Sequence, residues 1–161
     1  MSTLADTHEP TEVDSIEQIA GLIRENRKFL LTTHEGPDGD ALGSLLGTQH
    51  MLESLGKDSV MFMAAKEFPL PIEYRHLPLE DLFHEPPADL RDRVVVFLDC
   101  GNIERSPVHF LRDGGVTVVN IDHHHDNTRF GEYNFVKSSA SSTAEIIYEL
   151  AVTLDVKISP A

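Results

Sequence analysis

Residues 94–98 read Val-Val-Val-Phe-Leu, an unbroken apolar run, and the next residue is Asp99. A strand with one face in water alternates apolar and polar side chains. A strand with no polar position is buried on both faces, which is the habit of parallel sheets covered by helices. Two further runs are mostly apolar and β-branched. Residues 29–33 (Phe-Leu-Leu-Thr-Thr) lead into His34, and residues 116–121 (Val-Thr-Val-Val-Asn-Ile) lead into Asp122. A fourth, shorter run covers residues 60–63. Helical patterns separate these runs, so the expected fold class is α/β, a mostly parallel sheet with helices on both faces.

The helical patterns carry their own punctuation. Ser15 and Gln18 have capping-box spacing, and Ile16, Ile19, Ala20 and Ile23 follow at helical period. Asp40 is the expected N-cap of a helix over 41–55, closed by Gly56. Ser142 and Glu145 repeat the capping-box spacing ahead of Ala144, Ile147, Leu150 and Ala151. A short helix is expected over 104–111. Residues 66–92 resist assignment, because Pro69, Pro71, Pro78, Pro86 and Pro87 interrupt any long element. The polar residues 1–14 read as a flexible leader, and 15–161 as one domain.

Lys plus Arg number 13 and Asp plus Glu 27, a formal charge of −14. That balance excludes a broad grip on long DNA or RNA, which needs a basic footprint. It leaves room for a small phosphate compound held through metal ions, since bound cations reverse the local field. Cys100 is the one cysteine, so no intrachain disulfide can form and a cytoplasmic location is expected. Cys100 reads as a buried structural thiol rather than a nucleophile. No apolar stretch has the length of a membrane span, and the N-terminus lacks a signal-peptide core.

Three strands therefore end in a group that can bind metal: His34, Asp99 and Asp122. Ligands of open α/β sheets bind beyond the carboxyl ends of the strands, and parallel strands put those ends on one rim. Asp38 and Asp40 follow His34 on a Gly-containing turn. With Asp99 they would bring three carboxylates into one cleft, which is costly without cations. Two divalent ions, +4 against −3, would leave the site net positive and suited to a phosphate. Mixed carboxylate and imidazole donors suit manganese, iron, cobalt or zinc. Paired ions can clamp both oxygens of a phosphoryl transfer and activate a water. Turn chemistry alone accounts for His34-x-x-x-Asp38-x-Asp40, and Asp99 could cap a turn. The run Asp122-His123-His124-His125-Asp126 has no packing purpose. His8, His50, His76, His84 and His109 read as ordinary surface or core residues.

Residues 34–44 (His-Glu-Gly-Pro-Asp-Gly-Asp-Ala-Leu-Gly-Ser), then Asp99, then Asp122-His123-His124, resemble the first three motifs of the DHH phosphoesterase superfamily. Residues 139–145 are similar to the segment that follows the triplet. The resemblance is nearest to the branch of bifunctional oligoribonucleases and 3′-phosphoadenosine 5′-phosphate phosphatases. It implies a metal-dependent phosphoesterase with two manganese ions, magnesium or cobalt being possible substitutes. His34 and Asp38 would hold one ion, Asp40 and His123 the other, and Asp99 would bridge them. His124 would contact the scissile phosphate and help protonate the leaving group, and Asp122 would orient the triplet. Ser142 and Thr143 would touch substrate phosphate near a helix N-terminus. The implied partners are short oligoribonucleotides, dinucleotides or 3′-phosphoadenosine 5′-phosphate, without a membrane, and a homodimer is possible.

One departure tempers this. Family members carry a fourth-motif aspartate and a C-terminal substrate-binding domain, and neither has a counterpart before Ala161. The expectation is an N-terminal DHH domain with impaired turnover. The alternatives are a metal-binding module without turnover, and a cyclic-dinucleotide phosphodiesterase or inorganic pyrophosphatase of the same superfamily.

Overall fold

The computed structural model describes residues 14–106, 111 and 115–159. Five strands form one all-parallel sheet: β1 (Lys28–Thr32), β2 (Asp58–Met61), β3 (Val94–Leu98), β4 (Val118–Asp122) and β5 (Tyr133–Val136), in the order β2-β1-β3-β4-β5. The chain moves outward from β1 to β2 on one side and from β3 through β4 to β5 on the other. Strand order thus reverses between β1 and β3, the switch point at which such sheets open a crevice. Thr32 is level with Phe97, and Leu98 with Ile121. The residues that follow, His34, Asp99 and the end of β4, therefore share one rim.

Side-chain period divides the core in two. Phe29, Leu31, Val94, Val96, Leu98, Val119 and Ile121 face the helices α1 (Ile16–Glu25), α2 (Gly39–Ser54) and α3 (Thr143–Thr153). Leu30, Val95, Phe97 and Val118 face the other way, onto Phe62, Cys100, Ile103 and Leu111. Helical cover is unequal. Among the described residues the second face meets the short 3-10 turns Leu90–Asp92 and Ile103–Arg105 rather than α-helices. Each fully buried Leu, Ile, Val or Phe contributes about 1.5–3 kcal/mol relative to exposure.

Local chemistry sets the element ends. Ser15 and Gln18 close the capping box of α1. Helix α2 ends in a Schellman motif: Gly56 N–H bonds Glu53 and Lys57 N–H bonds Leu52, with Gly56 at φ +69°. Asp155 supplies the same left-handed residue after α3, at φ +57°.

Two expectations need correction, and one strand was not anticipated. The N-cap of α2 is Asp38, whose Oδ1 accepts the Ala41 N–H at 3.0 Å, and not Asp40, which lies in the first turn. Strand β5 lacks a continuous apolar run, and its half-buried edge position explains why. The helix expected over 104–111 is a 3-10 turn at Ile103–Arg105, and residues 107–110 lie outside the described residues. So do residues 1–13 of the leader, and His8 and His109 with them.

At the N-terminal edge of the sheet, Arg93 is buried. Its guanidinium pairs with Asp58 at 2.9 Å and Asp89 at 2.8 Å and donates to the Phe29 carbonyl at 3.1 Å. Lys28 adds a second cation on Asp89, also at 2.8 Å. Among the described residues, no helix is long and apolar enough to cross a membrane.

Candidate metal centre

The turn after β1 is shaped from both sides. His34 is buried, and its Nδ1–H donates to the Glu35 carbonyl at 2.7 Å. A carbonyl can only accept, so Nδ1 carries the proton and Nε2 is left with its lone pair. Nε2 faces Asp99 Oδ2 at 3.7 Å. Gly36 holds φ +61°, and its N–H is tied to Glu67 at 2.9 Å. Asp38 is exposed and commits Oδ1 to the cap of α2. Ligand atoms of His34, Asp38 and Asp99 all lie within 4.8 Å of one another.

Asp99 sits at the centre. Its side chain is 2% exposed and its backbone is left-handed at φ +57°. A non-glycine residue in that region costs of order 1 kcal/mol or more and persists only where surroundings hold it. What holds it here is the Asp99 N–H bond to the Ile121 carbonyl at 3.0 Å and the Thr143 hydroxyl, which donates to Oδ1 at 2.9 Å. Burial opposes the charge, but His34 and the Thr143 hydroxyl outweigh it and hold the carboxyl below its ordinary range. Asp99 in turn raises the His34 imidazole above its usual value.

The triplet forms the second side. His123 Nε2 lies 3.4 Å from Asp40 and 3.6 Å from Asp99. His124 Nδ1 lies 3.8 Å from Asp99 but only 2.7 Å from Asp122 Oδ1, so its Nδ1–H belongs to Asp122. Asp122 is fully buried and also accepts the His123 N–H at 2.8 Å. Burial works against a charged His124, yet the Asp122 carboxylate overcomes it and raises the imidazole above its usual value. Asp99, His123 and His124 form a second cluster with ligand atoms within 4.8 Å. His125 and Asp126 are exposed.

Helix α3 points its N-terminus at this cluster. Asp40 accepts the Thr143 N–H on Oδ2 and the Ala144 N–H on Oδ1, both at 2.9 Å. The positive end of a helix favours such a carboxylate. Asp40 thus cannot cap its own helix, because it serves another. Ser142 caps α3 by accepting the Glu145 N–H at 3.1 Å. Glu145 does not complete the capping box on Ser142; its carboxylate takes the Ser141 N–H and hydroxyl. Thr143 is fully buried and turned onto Asp99 rather than into open space.

His34, Asp38, Asp40, Asp99, Asp122, His123 and His124 therefore meet at one rim. The sequence reading overlooked Asn127, which donates to Asp122, and Asn120, which accepts from Asn127 in turn. Asn120 carried a readable signal: an amide in the middle of an otherwise apolar strand needs partners inside the protein. Cys100 is buried, and burial pushes its thiol up to about 11, which suits a packing role.

A model of the DHH family, N-terminal domain, matches residues 28–160. The chain belongs to the DHH family. The bifunctional oligoribonuclease and PAP phosphatase NrnA of Thermus thermophilus is 36% identical over 128 residues, 79% of this DHH chain and 37% of that protein. Among solved structures, an exopolyphosphatase-related protein from Bacteroides fragilis matches with a TM-score of 0.74 at 23% identity, over 86% of this chain and 43% of that one. Exonuclease RecJ bound to manganese matches with a TM-score of 0.57 at 17% identity, over 91% of this chain and 38% of that one. At those identities the two structures speak for the DHH fold alone. This DHH chain spans less than half the length of each of the three.

Proposed function

We propose that this DHH chain is the metal-holding part of a phosphoesterase that hydrolyses short oligoribonucleotides, dinucleotides or 3′-phosphoadenosine 5′-phosphate. One observation carries the reading. Asp99 is a buried carboxylate shared by two ligand clusters, and among the described residues no lysine or arginine pairs with it. Its neighbours are imidazoles and a hydroxyl, a donor set that fits manganese and related ions.

His34 and Asp38 would hold one ion, Asp40 and His123 a second, and Asp99 both. Bound there, divalent cations would supply the Lewis acidity and the acidified water that phosphoester hydrolysis requires. The protein does the rest. Asp122 keeps the His124 proton on Nδ1, so Nε2 is the nitrogen that can face a phosphate or hand a proton to a leaving oxygen. A raised His124 value favours a supply of that proton near neutral pH. Asp40, tied to the amides of Thr143 and Ala144, joins the start of α2 to the N-terminus of α3. Ser142 lies at the same helix end and would reach substrate only with its hydroxyl hydrogen, since its oxygen caps the helix. The substrate class follows the name of the Thermus relative. A single cysteine, which can form no intrachain disulfide, agrees with work in the cytoplasm.

A manganese titration coupled to phosphate release from 3′-phosphoadenosine 5′-phosphate, and to cleavage of a dinucleotide, tests the reading. Turnover that Asp99→Ala abolishes is the expected result. Tight manganese binding with no turnover on either substrate would instead make the chain a metal-binding module, a reading motivated by its spanning 37% of the Thermus relative.

A further inference from the structure

Asp122 is fully buried, yet no lysine or arginine reaches it among the described residues. Its Oδ1 accepts the His123 N–H and the His124 Nδ1–H. Its Oδ2 accepts from Asn127 Nδ2 at 2.6 Å. The same Nδ2 donates to Asn120 Oδ1 at 2.7 Å, so both amide hydrogens of Asn127 are spent, with the Cys100 carbonyl more remote at 3.4 Å. Asn127 Oδ1 accepts the Arg129 N–H at 2.6 Å, in a turn where Arg129 holds φ +52°. Asn120, fully buried, donates its own Nδ2 to the Cys100 carbonyl at 3.0 Å.

This inventory leaves no freedom. A carboxylate oxygen only accepts, so Asn127 must present nitrogen to Asp122 and oxygen to Arg129. Asn120 Oδ1 must face Asn127 because its nitrogen is held by Cys100. Rotation of the fully buried Asp122 carboxylate would strip Oδ2 of its donor, a costly loss. With the carboxylate fixed, Oδ1 is fixed against His124, and the imidazole is locked as the Nδ1–H tautomer.

We infer that Asn127, backed by Asn120, is a positioning residue that sets the tautomer and ring orientation of His124 through the buried Asp122. The bland alternative is that Asn127 merely holds the loop after the triplet. Thr128 separates the two: it ties that loop to Gly101 through its N–H at 2.8 Å and its hydroxyl at 3.2 Å, without contacting Asp122.

The consequence for turnover rests on the proposed phosphoesterase reading; the tautomer does not. The test is therefore made first on the metal-free chain, by long-range 1H–15N correlation of the imidazoles at alkaline pH, with His124 assigned by its absence in His124→Ala. The wild type should show His124 as the Nδ1–H tautomer. Asn127→Ala, and the volume-matched Asn127→Leu, should convert it to a mixture, while Thr128→Ala leaves it unchanged. An unaltered tautomer in the Asn127 variants, an equal change in Thr128→Ala, or loss of the fold in both Asn127 variants would overturn the inference. If the wild type turns over substrate, Asn127→Ala should lower kcat about 10–100-fold, the usual cost of an orienting partner, with KM unchanged. It should have no further effect in a His124→Ala background, and a further loss there would overturn the inference. An inactive wild type with a locked tautomer would sink the phosphoesterase reading and leave Asn127 its role.

Discussion

The two ends of one parallel sheet each gather charges around a buried group, and they neutralise them differently. At the N-terminal edge, Asp58 and Asp89 meet Arg93 and Lys28, cations that stay charged at any working pH. At the opposite rim, Asp38, Asp40, Asp99 and Asp122 meet imidazoles, amides and a hydroxyl. The first end is a permanent clamp on β1, β2 and β3. The second depends on protons, and a proton on an imidazole can be exchanged for a metal ion. That contrast separates the part of the molecule that holds the sheet from the part proposed to take a metal ion.

The sharpest way to break the comparison is to remove the shared carboxylate. Asp99→Ala should cost manganese affinity more than the ~10–100-fold typical for loss of an outer partner. Asp38→Ala and Asp40→Ala should each cost less, since each serves one cluster. Calorimetric titrations decide it, and equal losses across the three would remove Asp99 from the shared position. Next in size is the clamp. Arg93→Met should lower unfolding free energy by about 2 kcal/mol, below the full cost of a broken buried pair because the carboxylates it leaves can rehydrate. Manganese affinity should not change. A variant that folds normally in urea titrations, or one that loses metal, would erase the division between the two ends.

Much of this was legible because each signal had one physical cause. A strand of Val94 to Leu98 has no solvent face, so it had to be central, and β3 is flanked by β1 and β4. Ser15 and Ser142 announced helices correctly for the same reason: the first amides of a helix need an acceptor. Asp38 and Asp40 defeated that logic. Either can cap, and only the position of α3, more than a hundred residues on, draws Asp40 away. Thr143 shows the same limit. Its place at a helix N-terminus suggested a phosphate contact, whereas the fold turns its hydroxyl onto Asp99. Residues 66–92 stayed unread because 3-10 turns with no side-chain caps leave no periodic trace.

A smaller effect sharpens the idea of exchangeable counter-charge. Asp99 raises the His34 value above 6.5. A raised folded-state value contributes stability that is complete below the unfolded value of about 6.5 and is lost as pH rises through the folded one. Metal binding runs the other way, because a ligating imidazole must be neutral. Thermal midpoints in chelator should therefore fall on going from pH 6 to alkaline pH. In manganese the trend should reverse, with apparent affinity rising up to about tenfold per pH unit for each proton displaced. Parallel curves with and without manganese would deny that His34 yields its proton to the ion.

The smallest effect belongs to the clamp in acid. Arg93 and Lys28 hold the Asp89 carboxyl down to about 2. A depressed folded-state value contributes stability that is present above the unfolded value, about 3.9, and is lost as pH falls through the folded one. Asp89 should therefore act between about pH 4 and pH 2. Asp89 is partly open to water, so screening keeps its share modest and added salt should shrink it. Urea midpoints of the wild type and Asp89→Asn should differ at pH 5 and converge toward pH 2. The gap should stay the same in chelator and in manganese at pH 5, since the far rim plays no part in it. A gap that persists unchanged at pH 2 would mean that packing around Asp89, and not its charge, ties the lower end of the sheet together.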